Sequence, residues 1–149
     1  MDKLVASNRR ARHDYTILET IEAGLQLKGT EVKSMRAGKT ALSDSFARLE
    51  GNEIFLYNMH IAPYEFGNIY NPDPLRPRKL LLHRRQINKL ALEVSTKHLA
   101  IIPLKVYFKN GIAKVELALA KGKKQYDKRE AIKKRESEKE LKRVLKDRK

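Results

Sequence analysis

The residues of this chain best suited to chemistry are cations, and they come in groups. "NRRAR" occupies 8–12, "RPRK" 76–79, "HRR" 83–85 and "KGKKQYDKR" 121–129. Lys and Arg neutralise phosphates and release their counterions, so the chemistry on offer is binding of a polyanion, weakening steeply with salt. Arg dominates the earlier groups, where its planar fork grips a phosphate through two bonds or stacks on a base. Lys dominates the last, which suits looser tracking along a backbone. Tyr126 is the one flat group inside that last run and offers a face for stacking. Each group taken alone also reads as a solvated charged face.

Catalytic constellations are missing. The chain has no G-x-G-x-x-G and no G-x-x-x-x-G-K-[ST]. "KGKKQ" resembles part of a phosphate loop but lacks its first glycine and its hydroxyl residue. His13, His60, His83 and His98 are far apart and read as surface or satisfied histidines. Asp44 with Glu31 or Glu53 would be a metal-dependent nuclease centre, but no spacing supports it. Ser43 and Ser45 have no base at a recognisable distance. With no cysteine there are no disulfides and no thiolate metal sites. The expectation is a protein that is not an enzyme and takes no cofactor and no metal.

Charge sets the class of partner. The 149 residues hold 33 Lys or Arg against 18 Asp or Glu, a net of +15. Nucleic acid is the first partner this implies, an acidic membrane surface the second. Residues 121–149 carry a net of +8 and the first 120 a net of +7. About half the charge thus sits in a segment nearly empty of core formers. No run of 18 apolar residues occurs, and "MDKLVASNRRARHDY" lacks the apolar stretch of a signal peptide. A soluble cytoplasmic protein without a membrane partner is expected.

The elements that must position these cations follow from periodicity. "YTILETIEAG" reads as a strand with Tyr15, Ile17 and Ile21 on one side. Leu27, Val32 and Met35 share a face of a short helix, with Gly38 as its stop. Glu50-Gly51-Asn52 splits "FARLEGNEIFLYNMHI" into a hairpin. "APYEFGNIYNPDPLRPRK" holds four of the five prolines and reads as a long functional loop. Ile87, Leu90, Ala91 and Val94 mark an amphipathic helix. Ile102, Leu104, Val106 and Phe108 alternate, Asn110-Gly111 supplies a tight turn, and Val115, Leu117 and Leu119 alternate on the return. Pro103 cannot donate to a ladder, so it predicts an edge or a bulge.

The expected fold is mainly β with flanking helices: an OB-like antiparallel barrel of five to seven strands with two helices, which hides its edges. Residues 1–12 read as a flexible basic arm, 13–120 as the RNA-binding domain and 121–149 as a basic tail. In the tail, Glu130 with Lys134 and Glu138 with Lys142 are helical pairs in the favourable order. Leu141, Val144 and Leu145 cluster near its end, but Ile132 lies on the opposite face. The tail is therefore expected to be disordered alone and helical when bound.

"NRRARHDY", "EAGLQLKGTEVKSMRAGK", "RKLLLH" and "AKGKKQYDKR" together resemble the SsrA-binding (small protein B) family of bacteria. The likeness runs from about Asn8 to the C-terminus, with the four motifs in the family's order and spacing. It implies a β-barrel with flanking helices that binds transfer-messenger RNA, part alanine tRNA and part message. With elongation factor Tu and GTP, reached indirectly through the RNA, it is taken to ribosomes stalled on messages without a stop codon. The broken peptide is then tagged and the ribosome released. By resemblance, Asn8 with Arg9, Arg10 and Arg12, and Glu22, Leu81 and Lys114, support binding of the tRNA-like part. Glu22 would accept hydrogen bonds from a base edge or 2′-OH, or orient an arginine; otherwise it is an exposed strand carboxylate. Leu81 would lay apolar surface on a base, or else is a core leucine. Lys121, Lys123, Lys124, Lys128 and Arg129 match residues near the decoding centre of the small subunit. Val144 and Leu145 match an apolar pair needed for accommodation in the mRNA channel. Tyr126 stands where some members carry histidine, and either ring can stack. From the residues alone, a general single-strand RNA-binding or ribosome-associated structural protein remains the alternative, with an RNA-processing enzyme behind it.

Overall fold

A computed structural model describes residues 3–67 and 71–123. The expectations for Lys124, Tyr126, Lys128, Arg129, Val144 and Leu145, and for the tail's helicity, lie outside the described residues.

The chain order is β1 (Lys3–Ser7), α1 (Ala11–Asp14), β2 (Tyr15–Leu25), α2 (Gly29–Arg36), β3 (Thr40–Ala41), β4 (Phe46–Glu50), β5 (Glu53–Tyr57), β6 (His60–Ile61), β7 (Arg78–Leu81), α3 (Arg84–Lys97), β8 (Ala100–Lys109) and β9 (Ile112–Gly122). It is mainly β with flanking helices, as expected. All pairings are antiparallel; β8, β4, β5, β7, β2 and β9 follow one another and β9 returns to β8, while β1 adds to β8. Two joints are short. β4 meets β8 only at Ala47–Ile101, and β2 meets β7 at Gly24–Leu81 and Leu25–Leu80. The result is a ring of strands rather than a regular barrel.

Both tight turns behave as their residues dictate. Asn110 and Gly111 take φ of 52° and 80° between the paired Lys109 and Ile112. Gly51, at φ 61°, turns β4 into β5. Inside the ring, Ile54, Leu56, Leu80, Val106, Val115 and Leu117 are fully buried. Met35 of α2 and Leu90 of α3 join this cluster, with Val32, Ile87 and Val94 packed at its edge. The predicted helix faces are therefore the docking faces. Gly38, at φ 76°, ends α2 as its backbone N–H reaches the Met35 carbonyl.

Three expectations need correction. The first is that Ile102, Leu104, Val106 and Phe108 share one face. The β8 register slips between Pro103 and Lys105, so Leu104 is an extra residue against β9. A one-residue slip exchanges the two faces. Ile102 and Leu104 accordingly pack with Ala11, Ala118 and Ala120 in a second cluster, while Val106 and Phe108 enter the main core. Pro103, which has no N–H to give, sits at the bulge predicted for it. β2 has a matching slip at Leu18, which sends Tyr15 and Ile17 to the second cluster and Ile21 to the main core.

The second correction concerns the N-terminal arm. Lys3–Ser7 is a strand on β8 and Ala11 is buried in the second cluster. Backbone pairing and an apolar anchor fix a segment whose composition reads as loose. The third is the start of the tail. β9 continues two residues past Ala120, because Thr16 pairs with Lys121 and Tyr15 with Gly122.

Candidate nucleic-acid interface

Glu22, Leu81 and Lys114 come from three different strands and line one groove of about 780 Å³. The register explains the meeting. Gly24 of β2 pairs with Leu81 of β7 on one side and with Lys114 of β9 on the other, and Glu22 is two residues along β2. Leu81 is 49% exposed, so it is not a core leucine. A Cβ built on Gly24 would stand 3.2 Å from the Leu81 Cβ, so the absent side chain makes room for it.

Glu22 is held in a network. Tyr107 donates its hydroxyl proton to the Glu22 carboxylate, and Lys109 Nζ lies 3.7 Å from it. The Tyr107 hydrogen bond, helped by the charges of Lys109 and Lys114, outweighs the opposing effect of burial and lowers the Glu22 carboxyl from its ordinary value. Glu22 therefore stays an ionised acceptor. It faces Glu116 directly across β2 and β9, an arrangement that costs stability in a sheet. Lys105 relieves it by pairing with Glu116 at 3.3 Å. Lys105 also stands over the Tyr107 ring, 5.5 Å from its centroid. Sequence reasoning missed Tyr107 as a site residue. The signal was present, since Lys105, Tyr107 and Lys109 alternate with the buried Val106 and Phe108.

At the groove's edge, Arg84 opens α3, followed by Arg85, and both are exposed. The first turn of α3 holds no acidic residue, and cations there oppose the helix dipole. An anionic partner would offset that. "RPRK" behaves otherwise, and its reading as a phosphate grip is corrected. Arg76 and Arg78 both bind Glu31, at 2.5 and 2.7 Å, with Arg78 0% and Glu31 2% exposed. Arg78 also donates to the Pro74 carbonyl at 3.0 Å and to that of Met59. Burial pushes the Glu31 carboxyl up, but hydrogen bonds from Arg76, the Lys28 backbone N–H and Arg78 outweigh it and leave it below its ordinary value. Lys79 pairs with Glu53 at 3.1 Å. Arg76 and Arg78 thus tie the end of the proline-rich loop to α2, while Lys79 ties β7 to β5.

The Asn8 side chain donates to the Pro103 carbonyl at 3.1 Å, and its backbone N–H to the Leu104 carbonyl at 2.8 Å. Asn8 is thus fastened to the β8 bulge, which leaves Arg9, Arg10 and Arg12 exposed beside it. Lys121 and Lys123 lie at the far end of β9, exposed, with Lys123 reaching the Arg12 carbonyl at 3.4 Å. The structure so brings Glu22, Leu81 and Lys114 together, and separately the 8–12 segment with Lys121 and Lys123. The four histidines are exposed, and among the described residues no group of three or more His, Asp or Glu could hold a metal. Among the same residues no helix is long and apolar enough to cross a membrane.

A ring of strands that presents cations, an ionised acceptor and the half-buried Tyr107 ring beside it is a scaffold for a polyanionic ligand. The SmpB protein family model matches residues 5–147. An SsrA-binding protein of Caldicellulosiruptor bescii is 63% identical over 145 residues, covering 97% of this chain and 92% of that one. One of Enterococcus faecalis is 60% identical over 144 residues, covering 97% and 94%. A chain in a solved structure headed "tmRNA-SmpB: a journey to the center of the bacterial ribosome" superposes with a TM-score of 0.66 at 58% identity, over 78% of this chain and 82% of that one. The chain belongs to the SmpB protein family.

Proposed function

We propose that this protein binds transfer-messenger RNA and delivers it to stalled ribosomes in the bacterial cytoplasm, where trans-translation rescues the ribosome and tags the incomplete product. The groove of Glu22, Leu81 and Lys114 takes the tRNA-like part, supported by Arg9, Arg10 and Arg12, which Asn8 positions. Elongation factor Tu with GTP joins through the RNA. Lys121, Lys123, Lys124, Tyr126, Lys128, Arg129, Val144 and Leu145 serve the decoding centre and the mRNA channel. The protein acts as an adaptor and not as an enzyme.

The observation that carries this reading is the convergence of Glu22, Leu81 and Lys114, remote in sequence, on one groove. An ionised carboxylate there repels phosphate but accepts from a base edge or a 2′-OH. A site built only for backbone charge would not keep it. The test is a gel-shift titration at ~150 mM salt, where nonspecific contacts weaken. Transfer-messenger RNA should bind far more tightly than bulk RNA, and Glu22→Gln and Leu81→Asn should each lose that preference. Equal binding of all RNAs would favour a general single-strand RNA-binding protein instead.

A further inference from the structure

A second cavity of the described fold stands apart from the Glu22 groove. About 840 Å³ opens between the 8–11 segment, the start of β4 and the start of β8. It shares no lining residue with the groove. The two lie toward opposite ends of α3: Arg84 and Ile87 edge the groove, Val94 and Leu99 the cavity. Arg9, Arg10 and Arg48 bring three cations to the cavity wall, and Phe46 brings a ring that is 38% exposed.

That ring is braced. Phe46 stacks on Tyr57, its register partner in β5, with centroids 5.5 Å apart and planes 12° apart. The Tyr57 hydroxyl donates to Glu50. Beside the pair, Ser45 donates to the Asn58 carbonyl at 3.1 Å and Asn58 to the Asp44 carbonyl at 3.4 Å. Asp44 and Asn58 both hold φ of 62°, a left-handed conformation that Asp and Asn tolerate at some cost. The end of the hairpin is thus set before any ligand arrives, which lowers the ordering cost of binding. Asp14 and Asp44 also line the cavity. Carboxylates repel a bare phosphate chain but accept from the N–H groups of a base edge.

We propose that this cavity is a second RNA site that takes one unstacked nucleotide, its base on Phe46 and its phosphate on Arg9, Arg10 and Arg48. The inference rests on the RNA-binding reading above. Two RNAs could supply the nucleotide: the transfer-messenger RNA held in the Glu22 groove, or the ribosomal RNA of the small subunit. Arg9 and Arg10, given above to the transfer-messenger RNA, line this cavity, which favours that RNA as the source and makes the ribosomal RNA the other outcome of the test.

The test uses the full chain and measures affinity for transfer-messenger RNA and, separately, for small ribosomal subunits, across a salt series. Phe46→Leu keeps apolar bulk but removes the ring. It should weaken one RNA by ~5- to 150-fold, the loss expected for one stacked base, with an unchanged salt slope. Phe46→Tyr should restore it. Arg48→Gln should flatten the slope for the same RNA by about 0.7, one phosphate contact on a single strand. Loss confined to one arm names the source. Wild-type affinity of Phe46→Leu for both RNAs overturns the proposal, and so does a loss that Phe46→Tyr does not restore. If Phe46→Leu lowers the melting temperature, the exposed Arg48→Gln decides: an unchanged slope in both arms overturns the site. Failure of the unaltered protein to prefer transfer-messenger RNA would instead strike the reading of the groove.

Discussion

Tyr107 donates its hydroxyl proton to Glu22 across the outer face of β8, β9 and β2. The bond fixes the carboxylate and holds its pKa down. Tyr107→Phe should free Glu22 to swing and let its pKa rise toward the ordinary value. Affinity for transfer-messenger RNA should fall several-fold, since a hydrogen bond to a charged group is worth ~1.5–3 kcal/mol at most and this one is exposed. Titration of Glu22 by NMR in both proteins checks the coupling, and an unshifted carboxyl signal refutes it.

Glu31→Gln should destabilise the fold strongly although it barely changes the shape of the side chain. It leaves Arg78, fully buried, without its counter-charge. Breaking a buried pair by removing one partner costs ~3–5 kcal/mol. The measure is the urea midpoint at neutral pH, with the slope of the transition unchanged.

The same carboxylate sets an acid limit. The folded-state pKa of Glu31 lies below its ordinary value of 4.5. Its contribution is therefore complete above that value and is lost as pH falls from there through the folded pKa. Urea midpoints should drop with acidification in this window. Glu31→Gln should flatten that part of the curve, and an equal slope in both proteins would count against the assignment.

Salt dependence should sort the arginines. Arg9→Gln or Arg10→Gln should reduce the slope of log affinity against log salt by ~0.7–0.9 per lost phosphate contact. Arg76→Gln should leave the slope alone and lower the melting temperature, because Arg76 is committed to Glu31. Isothermal titrations at several salt concentrations, paired with thermal melts, separate the two classes.

Truncation should split binding from delivery. The cut belongs after Lys123, since Lys121 and Gly122 are paired in β9. Removing residues 124–149 should leave most affinity for transfer-messenger RNA and abolish tagging on stalled ribosomes. A free 124–149 peptide should show low helicity by circular dichroism, as its apolar residues make no continuous stripe.

Much of the fold was legible in the sequence because its signals are local. Asn110-Gly111, the Ile87–Val94 spacing and Gly38 each dictate their own geometry. The bulge at Leu104 was half legible: Pro103 announced an irregularity but not which side chains would change faces. The fate of Arg76 and Arg78 was hidden, because their partner Glu31 lies 45 and 47 residues away in the chain. Basic composition cannot tell a cation that faces a ligand from one sealed against a carboxylate. The Glu22 groove was found through motif likeness, and its physical cause, the Gly24 rung, appears only once the strands are paired. Phe46 and Tyr57 lay in a recognised hairpin, yet nothing local said that their rings would stack.

The fastening of Asn8 to the β8 bulge has a kinetic meaning. A tethered arm finds an anion early and lets it go easily, because each contact breaks on its own. Arginines bolted to a stiff frame must arrive together and leave together. In the RNA-binding role proposed for it, the 8–12 segment mounted this way would favour long residence over quick capture, which suits a protein that has to stay with one cargo through every collision on the way to its destination.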